Sequence, residues 1–352
     1  MFQSQSPTAW GLDIGEKSLK MSAVIQSGDN FALSNYGSLT IEDEEVTKGI
    51  LQDPDLLGKK IKKLLKEHTY GRKVKTPFVH ACIPDSDTFV KLIDIPDMTD
   101  EEIPEAVRWA SEQHIPLSPD DIYIDWNIVR HDPQNKKIYV LIGAVQKSIS
   151  NQLTEAIKRA DLVPLSLDVE ATAIVRALQS LTVPTNTSHA TAFLDLGATH
   201  STIIIFARDT IQFVSTIPFS GEEITSTLAT ELSISKAEAE KAKIVCGLTN
   251  PDCEDALKQV LKKDLDAMTK KINSSFAFYK EHTFDPLPIN QLILCGGGSL
   301  LDGIVGHLGK EIECDVRLGN LAPFISSSSK SDFAKKNLSY TTALGLAMKA
   351  YE

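Results

Sequence analysis

The chain has 352 residues, 42% of them hydrophobic, and its 47 acidic residues against 36 Lys and Arg leave a net charge of −11. That length asks for two domains, and that apolar share excludes a disordered polymer. The negative excess opposes nonspecific binding to nucleic acid or to an anionic membrane, because phosphates repel it.

From the N-terminus, Met1–Ala9 is short and polar with no apolar signal core. No stretch reaches the roughly 18 apolar residues that cross a bilayer, so the chain is expected in the cytoplasm. Gly11-Leu12-Asp13-Ile14-Gly15, followed by alternating Leu19, Met21, Ala23 and Ile25, predicts a strand, a tight turn and a returning strand. Lys20 lies just inside the return strand, where it can reach a phosphate as a point charge or simply be solvated. Eight Lys or Arg fall between Lys59 and Lys75, with Ile61, Leu64 and Leu65 at helical spacing. They read as the wet face of an amphipathic helix, or as a patch for an acidic partner.

Phe89–Ile95 predicts a strand, and Thr99-x-x-Glu102 a capping box opening a helix toward His114. Ile122, Ile124, Trp126 and Ile128 alternate as in a half-buried strand; Ile138–Val145 is another, and Ile149, Leu153 and Ile157 mark one face of a helix. A small α+β subdomain, about residues 77–145, is therefore expected as an insertion. Leu162–Asp168 returns as a strand and enters a helix at Glu170. That carboxylate can orient a water for attack on a γ-phosphate, or merely suit the first turn of a helix.

After a Thr182–Ser188 linker, a second domain begins near His189. Phe193-Leu194-Asp195-Leu196-Gly197, then Ile203 to Phe206, repeats the first hairpin about half a chain later. A duplicated fold, 1–188 and 189–352, explains that spacing. Thr199 offers a hydroxyl to a phosphate or is a β-branched strand residue. Helices are expected over Glu222–Glu231, Ser235–Val245 and Pro251–Lys280. Gly221, Glu240 and Lys243 can line a ribose and base, or the Glu–Lys pair can be ordinary helix-surface chemistry. Gln291–Cys295 feeds Gly296-Gly297-Gly298-Ser299, where a flat base can lie on bare backbone and a helix N-terminus favours negative charge. The Rossmann pattern fails because Leu301 holds the last glycine's place, and no P-loop motif exists. Ser326–Ser329 reads as a solvated loop and Ser339–Tyr351 as a last helix. The five cysteines, Cys82, Cys246, Cys253, Cys295 and Cys314, are odd in number and lack a C-x-x-C pair. They imply neither a disulfide framework nor a zinc cluster, and Cys295 reads as a buried reduced thiol.

Asp13-x-Gly15 and Asp195-x-Gly197 carry the chemistry. A tight turn aims backbone N–H groups at one spot, which suits phosphate oxygens, and an aspartate at the strand end suits Mg2+. One such turn is ordinary. Two, facing each other across a cleft, would clamp a triphosphate.

With these residues the chain resembles the actin-like ATPases. Gly11–Lys20 is similar to their first phosphate motif, Leu167–Leu178 to the first connecting helix and Phe193–Ile205 to the second phosphate motif. Leu292–Leu301 is similar to the adenosine motif, and Ser339–Met348 to the second connecting helix, where Ala343 and Ala347 would permit close crossing between domains. The resemblance runs from Trp10 onward and implies an α/β fold of two duplicated actin-like domains around a nucleotide cleft, the last helix returning to the first domain.

Thr88–Ile95, Met98–Trp109, His114-Ile115-Pro116, Asp121–Val129 and Gly221–Lys243 are most similar to the PilM family of type IV pilus assembly. That resemblance implies Mg2+ and ATP held by Asp13, Gly15, Lys17, Lys20, Asp195, Gly197, Ala198, Thr199, Gly221, Glu240, Lys243, Gly296, Gly297, Gly298 and Ser299. It implies Asp13 and Asp195 toward the metal, with Glu170 as the catalytic group of slow or absent hydrolysis. It further implies that the N-terminal cytoplasmic peptide of an inner-membrane PilN-like protein docks beside the insertion. Pilus motor ATPases would be further partners, and the protein would meet the membrane only through its partner. Two positions depart from the family: Glu16-Lys17 fills turn positions usually small or hydroxylated, and Ser220 stands where a glycine is usual. A filament-forming, FtsA-like division protein is the structural alternative, and the chain is expected to lack that protein's basic amphipathic tail. A sugar or acetate kinase is the enzymatic one, with Asp85 or Asp87 as base.

Overall fold

The computed structural model describes residues 8–28, 30–41, 46–47, 50–51, 53–115, 117–182, 188–324, 333 and 336–352. Most of the expected N-terminal polar segment and of the 182–188 linker, Pro116 and the whole 326–329 loop lie outside them. The chain divides into two compact units. One comprises Met1–Arg176, Thr210–Val214 and Thr342–Glu352, the other Ala177–Asp209 and Ser215–Thr341.

The first unit opens with three strands, β1 (Trp10–Ile14), β2 (Ser18–Ser27) and β3 (Asn30–Thr40). A two-residue pair, β4 (Val46–Thr47) and β5 (Ile50–Leu51), precedes α1 (Pro54–Glu67), β6 (Thr69–Gly71) and β7 (Phe78–Ile83). Helix α1 starts where it does because Asp53 accepts from the Asp55 N–H at 2.8 Å and Pro54 needs no donor. Leu57, Ile61 and Leu64 face inward, and Lys59, Lys63 and Lys66 face water. The amphipathic reading of the lysine run therefore holds for the helix; Arg72, Lys73 and Lys75 follow it on exposed chain.

Next come β8 (Thr88–Pro96), α2 (Ile103–His114), β9 (Ile122–Asp132), β10 (Lys137–Gln146), α3 (Lys147–Arg159), β11 (Val163–Val169) and α4 (Glu170–Thr182). The main sheet runs β11-β7-β1-β2-β3-β6, with β1 antiparallel to β2 but parallel to β7, and β7 parallel to β11. Leu12, Met21 and Val79 meet α1 and α3 in one core, where Ile61, Leu64, Leu153 and Ile157 are buried. Each fully buried aliphatic side chain there contributes about 1.5–3 kcal/mol.

The insertion is a separate three-stranded sheet, β8-β10-β9, whose Ile93, Ile138, Val140 and Ile142 pack on Ile103 and Val107 of α2. Its boundary near Pro77 moves to Thr88, because β7 pairs with β1 in the main sheet. The capping box is also corrected: Glu102 accepts from the Thr99 N–H and hydroxyl, each at 3.0 Å, but closes a turn ahead of a helix that starts at Ile103.

The second unit holds β12 (Ala190–Leu196), β13 (Ser201–Ala207), β14 (Thr210–Ile217), α5 (Gly221–Glu231), α6 (Lys236–Cys246) and α7 (Asp255–His282). After these come β15 (Ile289–Cys295), α8 (Ile304–Glu311) and β16 (Asp315–Leu318). Its sheet order, β14-β13-β12-β15-β16, repeats β3-β2-β1-β7-β11. In both, an antiparallel hairpin is followed by a parallel neighbour on its other side. Ile203, Ile204 and Ile205 are all buried, so β13 is covered on both faces.

A last helix, α9 (Thr341–Met348), is flanked by short 3-10 turns and lies with the first unit from Thr342. The expectation that Ala343 and Ala347 make the close helix crossing is corrected. A Cβ on Gly345 would fall 1.8 Å from the carbonyl of Ala173 in α4. Ala343 and Ala347 instead back onto Gly11 of β1, where a Cβ would meet the Ala343 carbonyl at 2.0 Å.

The cysteine reading is corrected as well: Cys246 and Cys253 form a disulfide, with Cα atoms 5.6 Å apart. Spacing alone misses it because Gly247, at φ 51°, turns the chain back at the end of α6.

Candidate functional site

In the first unit, Asp13 is buried at 5% exposure near the end of β1, in register with Lys20 of β2. The Lys20 ammonium stands 3.5 Å from Asp13 Oδ2. On the parallel side, the Cys82 thiol of β7 lies 3.6 Å from Asp13 Oδ1. Burial, then the Asp13 and Glu170 carboxylates, push the Cys82 pKa well above its ordinary value. The thiol therefore stays protonated and donates to Asp13 rather than repelling it.

Gly15 N–H donates to the Ser18 carbonyl at 3.1 Å, closing the turn. The Lys17 carbonyl accepts from Ile41 N–H at 2.9 Å, which pins the far side of the loop. Both Glu16 and Lys17 are half-buried.

Glu170 opens α4, and its Oε1 accepts from the Thr342 hydroxyl of α9 at 3.3 Å. The same helix start is held by buried Asp85, whose Oδ1 accepts from Ala171 N–H at 3.3 Å. Asp85, a candidate base in the kinase reading, thus has a structural task in capping α4. Among the first unit's predicted residues, the structure brings together Asp13 and Lys20, while Glu170 is held by Thr342.

The second unit repeats the motif. Asp195 of β12 pairs in register with Cys295 of β15, whose Sγ is 3.6 Å from Asp195 Oδ1. Gly197 N–H donates to the His200 carbonyl at 3.1 Å, matching Gly15. The loop then meets the start of α5: Gly221 N–H donates to the Gly197 carbonyl at 3.1 Å, and Glu222 N–H to the Ala198 carbonyl at 2.9 Å. Ser220 caps α5 through its hydroxyl, 3.1 Å from Glu223 N–H. This explains a serine where glycine is usual. The Thr199 hydroxyl lies 3.3 Å from His200 Nδ1.

Glu240 and Lys243 are not surface decoration. The Lys243 ammonium donates to the Gly221 carbonyl at 2.7 Å, the Thr225 hydroxyl at 2.8 Å and Glu240 Oε2 at 2.7 Å. Its side chain is only 12% exposed. It ties α6 to the first turn of α5, beside Gly197. Thr225, whose hydroxyl lies between the Gly221 carbonyl at 2.9 Å and the Glu240 carboxylate and donates its one hydrogen there, was missed from sequence because an isolated threonine carries no signal.

The three glycines have separate tasks. Gly296 has φ 77°, and a Cβ there would lie 2.3 Å from Asp195 Oδ1. One on Gly298 would meet the Leu196 side chain at 2.9 Å, whereas Gly297 faces open space. The expected helix start is corrected: residues Gly297–Leu300 form one 3-10 turn, and α8 begins only at Ile304. Ser299 is buried and its hydroxyl donates to the Gly296 carbonyl at 2.7 Å. The turn is thus stabilised internally, and what it presents outward is backbone.

Among the described residues, no group of three or more His, Cys, Asp or Glu could hold a metal ion. One oriented carboxylate per hairpin fits Mg2+ bound chiefly by phosphate and water, not by a protein cage. No helix of the described residues is long and apolar enough to cross a membrane.

The family model for type IV pilus assembly protein PilM matches residues 11–351. No curated protein matches the sequence. Among solved structures, the chain is similar to one from a PilM-PilN type IV pilus biogenesis complex, at 24% identity and TM-score 0.84, covering 99% of this chain and 100% of that one. The ethanolamine utilization protein EutJ of Carboxydothermus hydrogenoformans follows at 13% identity and TM-score 0.60, covering 99% and 91%. MreB 5 of Spiroplasma citri, bound to AMPPNP, is similar at 11% identity and TM-score 0.57, covering 97% and 95%. These likenesses establish the actin-like fold.

Proposed function

This chain belongs to the PilM family of type IV pilus assembly proteins, and from that premise we propose that it is an ATP-binding adaptor of the pilus assembly platform. The observation that carries the proposal is the repeated hairpin: Asp13 and Asp195 each end a β1-type strand, each accept from a protonated or buried thiol, and each precede a glycine-closed turn. Backbone N–H groups of both turns, with Lys20, would bind the polyphosphate, and Asp13 and Asp195 would hold Mg2+ through its waters. The metal would neutralise phosphate charge. Gly221, Glu240, Lys243 and the Gly296–Gly298 backbone would receive the nucleoside. Glu170, which accepts from the Thr342 hydroxyl, would position a water for hydrolysis that is slow or absent.

The protein would lie at the cytoplasmic face of the inner membrane through a PilN-like partner, whose N-terminal peptide docks beside the β8-β10-β9 insertion. The similar PilM-PilN complex supports this reading. Calorimetric titration with Mg-ATP tests it. Asp13→Ala and Asp195→Ala are each expected to weaken binding about 10- to 100-fold, the worth of a charged contact. Unaltered affinity in both variants, or no binding by the parent protein, would refute the nucleotide site. The PilN peptide titrated with and without ATP tests the coupling.

A further inference from the structure

The second unit's disulfide stands apart from the other cysteines. Cys82 and Cys295 are buried free thiols beside Asp13 and Asp195. Cys246 and Cys253 instead join the end of α6 to the segment ahead of α7, and Cys253 is only half-buried. The link spans a sequence separation of 7. Closing so short a loop removes little entropy from the unfolded chain, and it constrains that loop more than the fold. The unit has a core of its own, in which Phe193, Leu194, Ile204, Leu265 and Ile293 are fully buried.

Locally, the loop joins two parts of the candidate nucleotide site. On one side is α6, where Cys246 lies within one turn of Lys243. The Lys243 carbonyl accepts from Gly247 N–H at 3.2 Å, and its ammonium donates to the Gly221 carbonyl at 2.7 Å. On the other side is the chain leaving the Gly296–Gly298 turn. Leu248 N–H donates to the Asp302 carbonyl at 2.9 Å, and the Thr249 hydroxyl donates to the Asp302 carboxylate. Packing there is close: a Cβ on Gly247 would lie 2.6 Å from Asp302 Cβ, and one on Gly303 2.8 Å from the Thr249 side chain. Within the loop, Asn250 N–H donates to the Cys246 carbonyl at 3.3 Å, and its side-chain amide to the Val245 carbonyl at 3.1 Å. The disulfide therefore closes a staple between the helix carrying Glu240 and Lys243 and the turn that presents glycine backbone.

We propose that Cys246–Cys253 is a reversible thiol–disulfide site controlling nucleoside binding: closed, it holds the two nucleoside-binding elements together, and a dithiol opens it. Its effect on binding rests on the proposed nucleotide function; its chemistry does not. A thiolate of the dithiol attacks Sγ of Cys253, the more accessible sulfur, and the S–S bond breaks. Cys246 leaves as a thiolate and takes up a proton. The dithiol's second thiolate displaces Cys253 from the mixed disulfide, and Cys253 also takes up a proton. Two electrons pass to the protein, and the dithiol departs as a disulfide. Hydrogen bonds and packing alone then hold the end of α6 to Asp302.

Iodoacetamide labelling of the unfolded full chain, read by mass, counts free thiols. Three are expected before dithiothreitol and five after it, returning to three with oxidised dithiothreitol. Calorimetry should show Mg-ATP binding weakened about fivefold or more by reduction, the lower end of coupling between sites. Cys253→Ser should bind like the reduced form under both conditions. Inorganic tripolyphosphate with Mg2+, which has no nucleoside, should bind both forms equally. Hydrogen exchange at the Gly247 and Leu248 amides should quicken on reduction while β13 stays unchanged. Five free thiols that oxidised dithiothreitol leaves open, equal Mg-ATP affinity in both forms, or an equal loss of tripolyphosphate binding overturns the proposal. If neither form binds Mg-ATP, the nucleotide function is refuted and exchange decides the staple: unchanged Gly247 and Leu248 amides overturn it.

Discussion

The hairpins around Asp13 and Asp195 share a strand, a glycine-closed turn and a thiol 3.6 Å from the carboxylate, yet they are supported differently. Asp13 faces Lys20 across its hairpin; Asp195 faces Thr202 and is overlain by Gly296. Lys243, in the second unit's site, comes from a helix and contacts the Gly221 carbonyl, Thr225 and Glu240. Duplication therefore preserved what orients the carboxylate and let the source of positive charge diverge. A backbone-determined arrangement survives side-chain change, because its hydrogen bonds do not depend on residue type.

Substitutions can break or sharpen this comparison. The largest effect is expected at Gly296→Ala, which sets a side chain at positive φ and against Asp195 Oδ1. A loss of about 3 kcal/mol or more in urea unfolding, together with weakened Mg-ATP binding, is expected. Full stability would mean that the turn does not shape the carboxylate.

Next are the two turn glycines. A Cβ on Gly197 would meet the His200 carbonyl at 2.4 Å, whereas one on Gly15 would meet the Ser18 carbonyl at 3.2 Å. Gly197→Ala should cost about 2–3 kcal/mol and Gly15→Ala about 1 kcal/mol or less. Equal losses in denaturant midpoint would show the turns to be equally tight.

The smallest contrast lies between the lysines. Lys243→Met removes three donated hydrogen bonds from a site 12% exposed and should cost about 1–3 kcal/mol. Lys20→Met loses one long 3.5 Å ion pair to buried Asp13, which keeps its Cys82 donor, and should cost less, about 1 kcal/mol. Thermal melting without ligand checks both, and a reversed order would contradict the division of roles.

Much of the site was readable without coordinates. The Asp-x-Gly repeat and the alternating strands depend on local pattern and lie where expected; the glycine run follows its strand, but a 3-10 turn takes the place of the expected helix start. Thr225, Asp85, Cys82 and the Cys246–Cys253 disulfide were not readable as site or support, since each acts across a parallel pairing, a helix contact or a turn. The insertion's start was misplaced for a related reason. Phe78–Ile83 reads as a strand anywhere, and only its pairing with β1 assigns it to the main sheet.

Local periodicity and turn chemistry thus determined which segments are strands and helices, that the chain is duplicated, and which aspartates head the turns, because these follow from backbone preference and apolar spacing within about ten residues. Tertiary structure alone decided that a protonated thiol holds Asp13, that Lys243 binds the start of α5, and that Gly345 and not the alanines lets α4 and α9 meet. Those outcomes depend on which distant segments come within 4 Å of one another, and chain-local preferences carry no term for that.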